Sequence, residues 1–262
     1  MAQENNRDGE IRSVQRAISI LNCFSWEKRE LGLTEVAALI GLPKSTTSRI
    51  LQTLTTSGLL QRDAESGRYR LGFRLFCLGS IVKDSMELRT IAIPTMVALR
   101  DKSRETVNLY LREGTRRVCI HQVESLLGVR HMVRIGEQLP LWAGASGKVL
   151  LAHMDESGRE RVFQEALAVS ANFRPDRLTA QLEDIKRQGY AVSHGERELG
   201  ASAVAAPIWN ADRHVEAAVT ISGPTARWTA EDVDLFVRLV REGADEISRQ
   251  LGYQPQSGRA FG

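Results

Sequence analysis

The sequence predicts an α+β protein in which a small N-terminal winged helix-turn-helix precedes a larger domain of helices and strands. Three observations lead to this fold class. Two short helical patterns joined by a glycine-containing turn, with a helix before them and a hairpin pattern after them, are typical of a winged helix-turn-helix. Beyond residue 102, strand-like runs alternate with helical segments. The net positive charge lies in the N-terminal part of the chain. Residues 1–75 carry 11 Lys and Arg against 8 Asp and Glu, whereas the remaining residues carry 24 of each.

The winged helix-turn-helix is predicted from helical periodicity and from residues that begin and end helices. In "SVQRAISILNCF", Ser13 is the expected N-cap, and the apolar stripe is Val14, Ala17, Ile18, Leu21 and Phe24. In "LTEVAALIG", Thr34 is the expected cap and Gly41 ends the helix. Pro43 opens the third helix, which Gly58 stops.

The third helix has an apolar side and a polar side. At 100° per residue, Thr47, Ile50, Leu51 and Leu54 fall together, and short polar side chains lie opposite. Such a face suits the major groove of DNA, where Arg49 can bond guanine and Gln52 can bond adenine, although a solvated face is the alternative interpretation. The predicted contacts on this helix are Lys44, Ser45, Thr46, Ser48, Arg49 and Gln52.

The segment "LLQRDAESGRYRLG" predicts the wing, as two short strands around a polar turn at residues 64–67. Basic side chains at such a position can hold the DNA backbone beside the recognition helix. We expect Arg68 and Arg70 to do so, with Arg62 just before them.

Helical periodicity resumes over residues 73–102 and predicts two helices with a break before Pro94. Strands are expected at "TVNLYL", "RVCIHQV", "GVRHMVRI", "SAVAAPIW" and "VEAAVTISG". Helices are expected after the loop in "AGASGKVLLAHM", near residues 155–168 and 179–189, and in the capped segment "TAEDVDLFVRLVREGADEISRQL". The predicted organisation is a winged helix-turn-helix over 1–72, a linker and dimerisation helix over 73–90, a sheet domain over 91–252 and a flexible tail over 253–262.

Composition indicates a soluble cytoplasmic protein. No apolar run reaches the length of a membrane span, and the polar N-terminus has no secretory signal. Cys23, Cys77 and Cys119 are odd in number and set among apolar residues, which predicts reduced, packed thiols.

Several stretches resemble the IclR-type bacterial transcription regulators over residues 13–252. They are "SVQRAISILNCF", "LTEVAALIGLPKSTTSRILQTL" and "YRLGFRLFCLG", followed by "LPLWAGASGKVLLA", "GYAVSHGERELGASAVAAPIW" and "AAVTISGP". The resemblance implies a GAF-like α/β effector-binding domain after the linker. It also implies a homodimer or dimer of dimers on a palindromic or repeated operator, sensing a small carboxylate or aromatic metabolite. Members repress or activate, and we expect a repressor that needs no cofactor.

The resemblance also places an effector pocket between the sheet and the loops that lead into helices. The matching positions are Ile135, Ala145, Ser146, Ser193, Ala203, Thr220 and Ser222. Independently of the resemblance, "GASGKVLL" puts backbone N–H groups at a helix N-terminus, which favours an anion. Period-two spacing also puts the Thr220 and Ser222 hydroxyls on one strand face, although capping or backbone bonding could explain these residues instead.

This chain departs from family members that bind a small oxoacid, since these can carry an acidic residue at position 193 and a cysteine at position 203. Ser193 and Ala203 therefore predict a smaller, less charged lining, with room for a bulkier or more apolar effector bordered by Trp142.

Enzymatic and metal chemistries are poorly supported. "GASGKV" lacks the earlier glycine and the Ser or Thr after Lys148 that a phosphate loop requires, and it is not a hydrolase elbow. Ser193 and His194 would face opposite sides of a strand. Cys119, His121 and His131 lack a second cysteine pair for zinc.

Two alternatives stay open within the regulators. A redox sensor would need Cys77 or Cys119 to be an exposed, acidic thiol. The second alternative is a DNA-binding protein that responds to no effector. It gives no role to the large C-terminal domain, whose net charge is zero.

Overall fold

The computed structural model describes residues 11–84, 86–171 and 173–254, and the chain forms two compact units divided between positions 85 and 86. The predicted linker, residues 73–90, spans this division. Most of the predicted tail, residues 255–262, lies outside the described residues. Tyr253 at its start stacks on Trp209, with ring centroids 5.8 Å apart.

The first unit is a winged helix-turn-helix, as predicted. Its elements are α1 (Arg12–Leu21), α2 (Leu33–Ile40), α3 (Lys44–Thr56), β1 (Leu60–Arg62), β2 (Tyr69–Leu71) and α4 (Phe73–Asp84). The strands β1 and β2 pair antiparallel, and Leu31 forms a β-bridge with Tyr69 through two backbone hydrogen bonds. The segment before α2 is thereby attached to the wing.

The core of this unit is formed by the apolar side chains Ile20, Leu31, Val36, Leu51, Leu54, Leu60 and Tyr69. In α1 the predicted stripe is only half correct, since Val14 and Ile18 are exposed and Ile20 is buried. The predicted caps at Ser13 and Thr34 are also wrong. Gly32 holds the cap position of α2, and its N–H donates to the Glu35 carboxylate at 2.7 Å.

The second unit is a six-stranded antiparallel sheet with helices on both faces. In chain order its elements are α5 (Glu87–Ser103), β3 (Thr106–Glu113), β4 (Arg116–Val123), β5 (Gln138–Pro140), α6 (Ala145–Ala152), α7 (Glu156–Val169), α8 (Pro175–Gln188), β6 (Ala191–His194), β7 (Ala201–Trp209), β8 (Val215–Pro224) and α9 (Ala230–Gln250). The strand order is β5-β4-β3-β8-β7-β6.

Period-two alternation divides the strand side chains between two cores. Leu109 and Val219 face α5 and α9, in a core that includes Met96 and Phe236. On the opposite face, Tyr110, Cys119 and Ala218 pack against α6, α7 and α8. Because all eight residues of α6 are buried, this short helix lies inside the second core rather than on its surface.

Two predictions about elements are wrong. Helix α4 ends at Asp84 and α5 begins at Glu87, so the break predicted before Pro94 is absent from α5, and Met86 packs against the core of the second unit instead of extending the linker helix. Helix α5 continues through Pro94 because Ala92 and Met96 beside it are fully buried, which offsets the lost hydrogen bond.

The predicted strand over residues 128–135 is a loop. Val133 is buried, but its N–H donates to the Gln122 side chain at 2.9 Å instead of pairing with a strand.

The cysteines are packed to different degrees. Cys119 is buried and Cys23 is half-buried, whereas Cys77 is exposed on α4, contrary to prediction. Within the described residues, no helix has the length and apolarity needed to cross a membrane.

Candidate functional site

The helix α3 is anchored through one side. Thr47 and Leu51 are fully buried, and Leu54 nearly so. The buried hydroxyl of Thr47 donates to the carbonyl of Pro43 at 3.1 Å, so this polar group costs the core little. The predicted apolar stripe is therefore the packed side of the helix.

The opposite side of α3 faces solvent. Lys44, Ser45, Arg49 and Gln52 are exposed, and Thr46 and Ser48 are half-buried. Within the part of the chain that the structure describes, the side chains of Arg49 and Gln52 have no hydrogen-bonding or ionic partner. These long side chains are free to reach an external ligand.

The wing arginines have intramolecular partners. Arg68 forms an ion pair with Glu35 at 2.8 Å and donates to the carbonyl of Glu30 at 3.0 Å, so it fixes the wing to the start of α2. Arg70 bonds the Gln61 amide oxygen at 3.3 Å and remains exposed. Arg62 lies over the ring of Tyr69. Arg70 is the least engaged of the three.

A cavity opens in the second unit beside the N-terminus of α6. Its lining residues are Tyr110, Arg117, His131, Gly144, Ala145, Ser146, Ser193, Glu196, Arg197, Glu198, Ala201, Ser202, Ala203, Thr220 and Ser222. Six of the seven predicted pocket residues are among them. The exception is Ile135, which is 52% exposed and does not line the cavity, because its segment is a loop rather than the expected strand.

Hydrogen bonds from the α6 N-terminus define one end of the cavity. The N–H of Ala145 donates to the Ser193 hydroxyl at 3.1 Å, and that of Gly144 donates to Glu196 at 3.0 Å. The ammonium of Lys148, itself buried, pairs with Glu196 at 2.5 Å. Serine at position 193 thus caps a helix donor that would otherwise lack a partner.

The sheet supplies a polar floor. The Asn108 amide donates to the Ser222 hydroxyl at 3.0 Å, and Thr220 and Ser222 both line the cavity, as their spacing predicts. The hydroxyl of Thr220 and the side-chain oxygen of Asn108 are buried without a hydrogen-bond partner among the described residues. A buried unpaired oxygen is costly, and because Thr220 lines the cavity, its hydroxyl is positioned to bond a polar group of a ligand.

The mouth of the cavity carries a charged network. Nε2 of His131 lies 2.8 Å from a guanidinium nitrogen of Arg197 and 3.2 Å from the Glu198 carboxylate, and Nδ1 lies 3.3 Å from the Ser222 hydroxyl. Glu198 accepts from Arg197 at 3.1 Å. Burial lowers the pKa of His131, and Arg197 lowers it further, which keeps the ring neutral.

The lining is more charged than predicted. Arg117, Glu196, Arg197 and Glu198 all line the cavity, whereas Trp142 does not, since it lies beneath the guanidinium of Arg116. Sequence reasoning missed Glu196, Arg197 and Glu198 because charged side chains in loops usually face solvent. For Arg117 a signal existed, since it shares a strand face with Cys119, whose inward orientation the alternation predicts.

The Ser193 hydroxyl bonds Ala145, whereas His194 bonds Ser202 at 2.8 Å, so the two adjacent residues do not form a pair. Burial raises the pKa of Cys119 to about 12, which is unsuitable for a redox thiol. No cluster of three potential metal ligands occurs within residues 11–84, 86–171 and 173–254.

Two family models together match most of the chain. Residues 13–64 match the IclR helix-turn-helix domain, and residues 81–249 match the C-terminal domain of bacterial IclR transcriptional regulators. The chain is 32% identical over 246 residues to the regulator KipR of Bacillus subtilis, covering 92% of this chain and 98% of KipR. It is 33% identical over 247 residues to XynR of Escherichia coli, covering 93% and 98%.

Solved structures give the same result. An IclR transcriptional regulator from Alicyclobacillus acidocaldarius has a TM-score of 0.81 at 31% identity, covering 93% of this chain and all of that one. An IclR homologue from Microbacterium hydrocarbonoxydans, crystallised with 4-hydroxybenzoate, has a TM-score of 0.76 at 27% identity, covering 91% and 98%. These relatives are transcriptional regulators rather than enzymes. This chain belongs to the IclR family of DNA-binding transcriptional regulators.

Proposed function

We propose that the chain is a repressor that reads its operator with the exposed face of α3 and senses a small carboxylate or aromatic metabolite in the cavity beside α6. The observation that carries the DNA-reading part is the orientation of α3, which buries Thr47 and Leu51 and leaves Arg49 and Gln52 exposed and unpartnered among the described residues. Base-edge contacts need long side chains of this kind.

The remaining predicted contacts have positioning roles in this proposal. Lys44, Ser45, Thr46 and Ser48 lie in the first turns of α3, where hydroxyls, an ammonium and backbone N–H groups meet phosphates. Arg70 binds the flanking backbone, and Arg68 acts mainly by holding the wing in position, because it is already paired with Glu35.

Repression is supported by relatives named as repressors, among them IclR of Escherichia coli at 30% identity and AllR of Salmonella typhimurium at 31%. The effector role is supported by the cavity and by the relative crystallised with 4-hydroxybenzoate. A homodimer, or a dimer of dimers, on a palindromic or repeated operator is supported by the exposed apolar side chains of α4, including Phe73, Phe76 and Ile81.

The test is fluorescence anisotropy of the purified protein on DNA from its own upstream intergenic region. A scrambled duplex of equal length and a salt series run alongside, because affinity for DNA depends on salt. We expect binding that weakens with salt yet stays far tighter than to the scramble. Equal affinity for the two duplexes, together with no enriched site in a genome-wide pulldown, would contradict the proposal.

A further inference from the structure

Arg117 is a buried cation at the edge of the cavity. Its side chain begins on β4, points into the core beneath α6, and is only 2% exposed. One guanidinium nitrogen, Nη1, donates to the carbonyls of Pro140 and Ala143, the latter at 2.9 Å. The ring of Tyr110 lies 5.5 Å from the guanidinium carbon.

The bonding of this guanidinium is incomplete. Its Nε is buried without a hydrogen-bond partner among the described residues, and none of their carboxylates lies within ion-pair distance of it. Carbonyl oxygens and an aromatic ring stabilise a cation only in part. A buried guanidinium normally has a carboxylate or phosphate partner.

The other charges that line the cavity are already paired. Glu196 pairs with Lys148, which lies outside the lining, and Arg197 pairs with Glu198. Arg117 therefore carries the one positive charge of this wall that has no counter-ion within the described chain. Burial lowers the pKa of Arg117 to about 10, yet the side chain stays protonated at neutral pH.

The position of Arg117 adds to this imbalance. The N-terminus of a helix is itself electrostatically positive, and the guanidinium lies directly beside that of α6. A Cβ built on Gly144 would lie 3.2 Å from Nη2 of Arg117, and one built on Gly147 would collide with the guanidinium. The glycines make room for this cation at the helix end, where the Glu196 carboxylate bonds the Gly144 N–H and is itself paired with Lys148.

We propose that Arg117 is a specificity-determining residue that binds the carboxylate of the effector together with the N-terminus of α6, and that the effector is a monocarboxylate. This inference deepens the proposed function and rests on it for its regulatory meaning. One carboxylate balances Arg117. A second carboxylate would be repelled by Glu196 and Glu198, because the cations beside them are already paired. The unpaired hydroxyl of Thr220 on the sheet floor favours a further polar group on the same molecule.

The test measures small acids against their neutral amides, without DNA. Thermal shift and calorimetry compare benzoate with benzamide and lactate with lactamide, and succinate serves as a dicarboxylate, all at ionic strength fixed with NaCl. We expect at least one monocarboxylate to stabilise the wild-type protein more than its amide and more than succinate does. If no monocarboxylate exceeds its amide, or if succinate binds more tightly than both monoacids, the proposal is wrong.

Two variants assign the effect to Arg117. In Arg117→Met we expect the affinity for the monocarboxylate to fall by at least about tenfold, since a charge-assisted bond is lost. Arg112→Met, which removes an exposed arginine from β3, is the matched control and should bind as the wild type does. If Arg117→Met does not fold, Arg117→Lys replaces it. Lysine cannot form a bidentate hydrogen bond with a carboxylate, so we expect the same loss of affinity in this variant. An unchanged affinity in the folded variant overturns the proposal.

Failure of this inference and failure of the proposed function give different results. A protein that binds its operator specifically but shows no Arg117-dependent preference for acids remains a regulator with another effector chemistry. A protein that binds a monocarboxylate through Arg117 but no specific DNA keeps the carboxylate site and loses the operator-reading role.

Discussion

Polar side chains in this molecule differ in whether their partners lie within the chain. Thr47 and Ser193 are buried, and each side-chain oxygen has a backbone partner within the chain. Thr220 and Arg117 are equally buried and retain polar atoms without partners among the described residues. An unpaired buried polar atom costs free energy. Thr220 and Arg117 therefore mark the positions where hydrogen bonds from a ligand would stabilise the protein most.

At the residue scale, Arg49→Ala should weaken binding to the operator by roughly 1–3 kcal/mol and affect binding to scrambled DNA much less. The reason is that a base-edge contact is lost while the phosphate contacts remain. Anisotropy on both duplexes measures the difference. Arg16→Ala, which removes another exposed arginine of the first unit, is the charge-matched control, and an equal loss in both variants would remove Arg49 from the base-reading set.

A second residue-scale prediction concerns pH. His153 packs edge-on against Trp209, with ring centroids 5.0 Å apart, and burial lowers its pKa even though its bond to the Val149 carbonyl opposes the shift. The unfolded chain therefore binds the proton more readily than the folded one. Stability should fall as pH drops below about 6.5, the ordinary pKa of histidine.

Chemical denaturation at pH 7 and pH 5.5 measures this effect. The loss of unfolding free energy between the two values should be smaller in His153→Gln than in the wild type. His214→Gln, at an exposed position, should keep the wild-type dependence. Identical dependence in all three proteins would show that His153 does not contribute.

At the scale of elements, α6 depends on close contact with the end of β5 and the segment that follows it. A Cβ at Gly147 would lie 2.7 Å from the carbonyl oxygen of Leu141 and 3.0 Å from that of Pro140, and would also meet Arg117. The first turn of the helix can approach these groups only because the residue has no side chain. This contact positions the N–H groups at the cavity.

Gly147→Ala should therefore destabilise the second unit by roughly 1–3 kcal/mol, the usual cost of overpacking. Gly79→Ala is the matched control, since a Cβ there meets no atom within 4 Å in α4. That change should raise stability by about 0.5–1 kcal/mol, because alanine loses less backbone entropy in a helix. Scanning calorimetry decides both, and a tolerated Gly147→Ala would contradict the packing argument.

At the scale of the whole molecule, regulation requires that ligand binding in one unit change DNA binding by the other. A differential binding energy of about 1–3 kcal/mol between two arrangements of the DNA-binding units is sufficient for an allosteric response. Dimers make such a difference effective, because two half-sites must be engaged at one fixed spacing. In the proposed dimer, the exposed apolar residues of α4 supply a surface for this pairing.

Ile81→Glu should convert the dimer to a monomer and weaken operator binding by roughly 100-fold or more, since the avidity of two linked sites is lost. Ile81 is 67% exposed, and Val169→Glu, at a position 71% exposed on α7, is the matched control. Sedimentation velocity and anisotropy measure assembly and affinity. A dimer that survives Ile81→Glu with its full affinity would place the interface elsewhere.

The sequence by itself determined the winged helix-turn-helix, the polar face of α3 and six of the seven predicted cavity positions. These features depend on local periodicity, glycine and proline positions and family motifs, all of which are written in short segments. It misplaced the break near Pro94 and the strand over residues 128–135, because long-range burial of Met96 and a side-chain bond from Gln122 decide those conformations.

Only the tertiary structure decided the chemistry of the cavity. Arg117 comes from β4, Glu196 and Arg197 from the loop after β6, and Thr220 from β8, so no short segment contains the charged lining. Nor could the sequence show that Lys148 and Arg68 are occupied by Glu196 and Glu35, whereas Arg117 lacks a carboxylate partner among the described residues. The charge of a residue is fixed by its identity, but whether that charge is compensated depends on which distant residues the fold brings beside it.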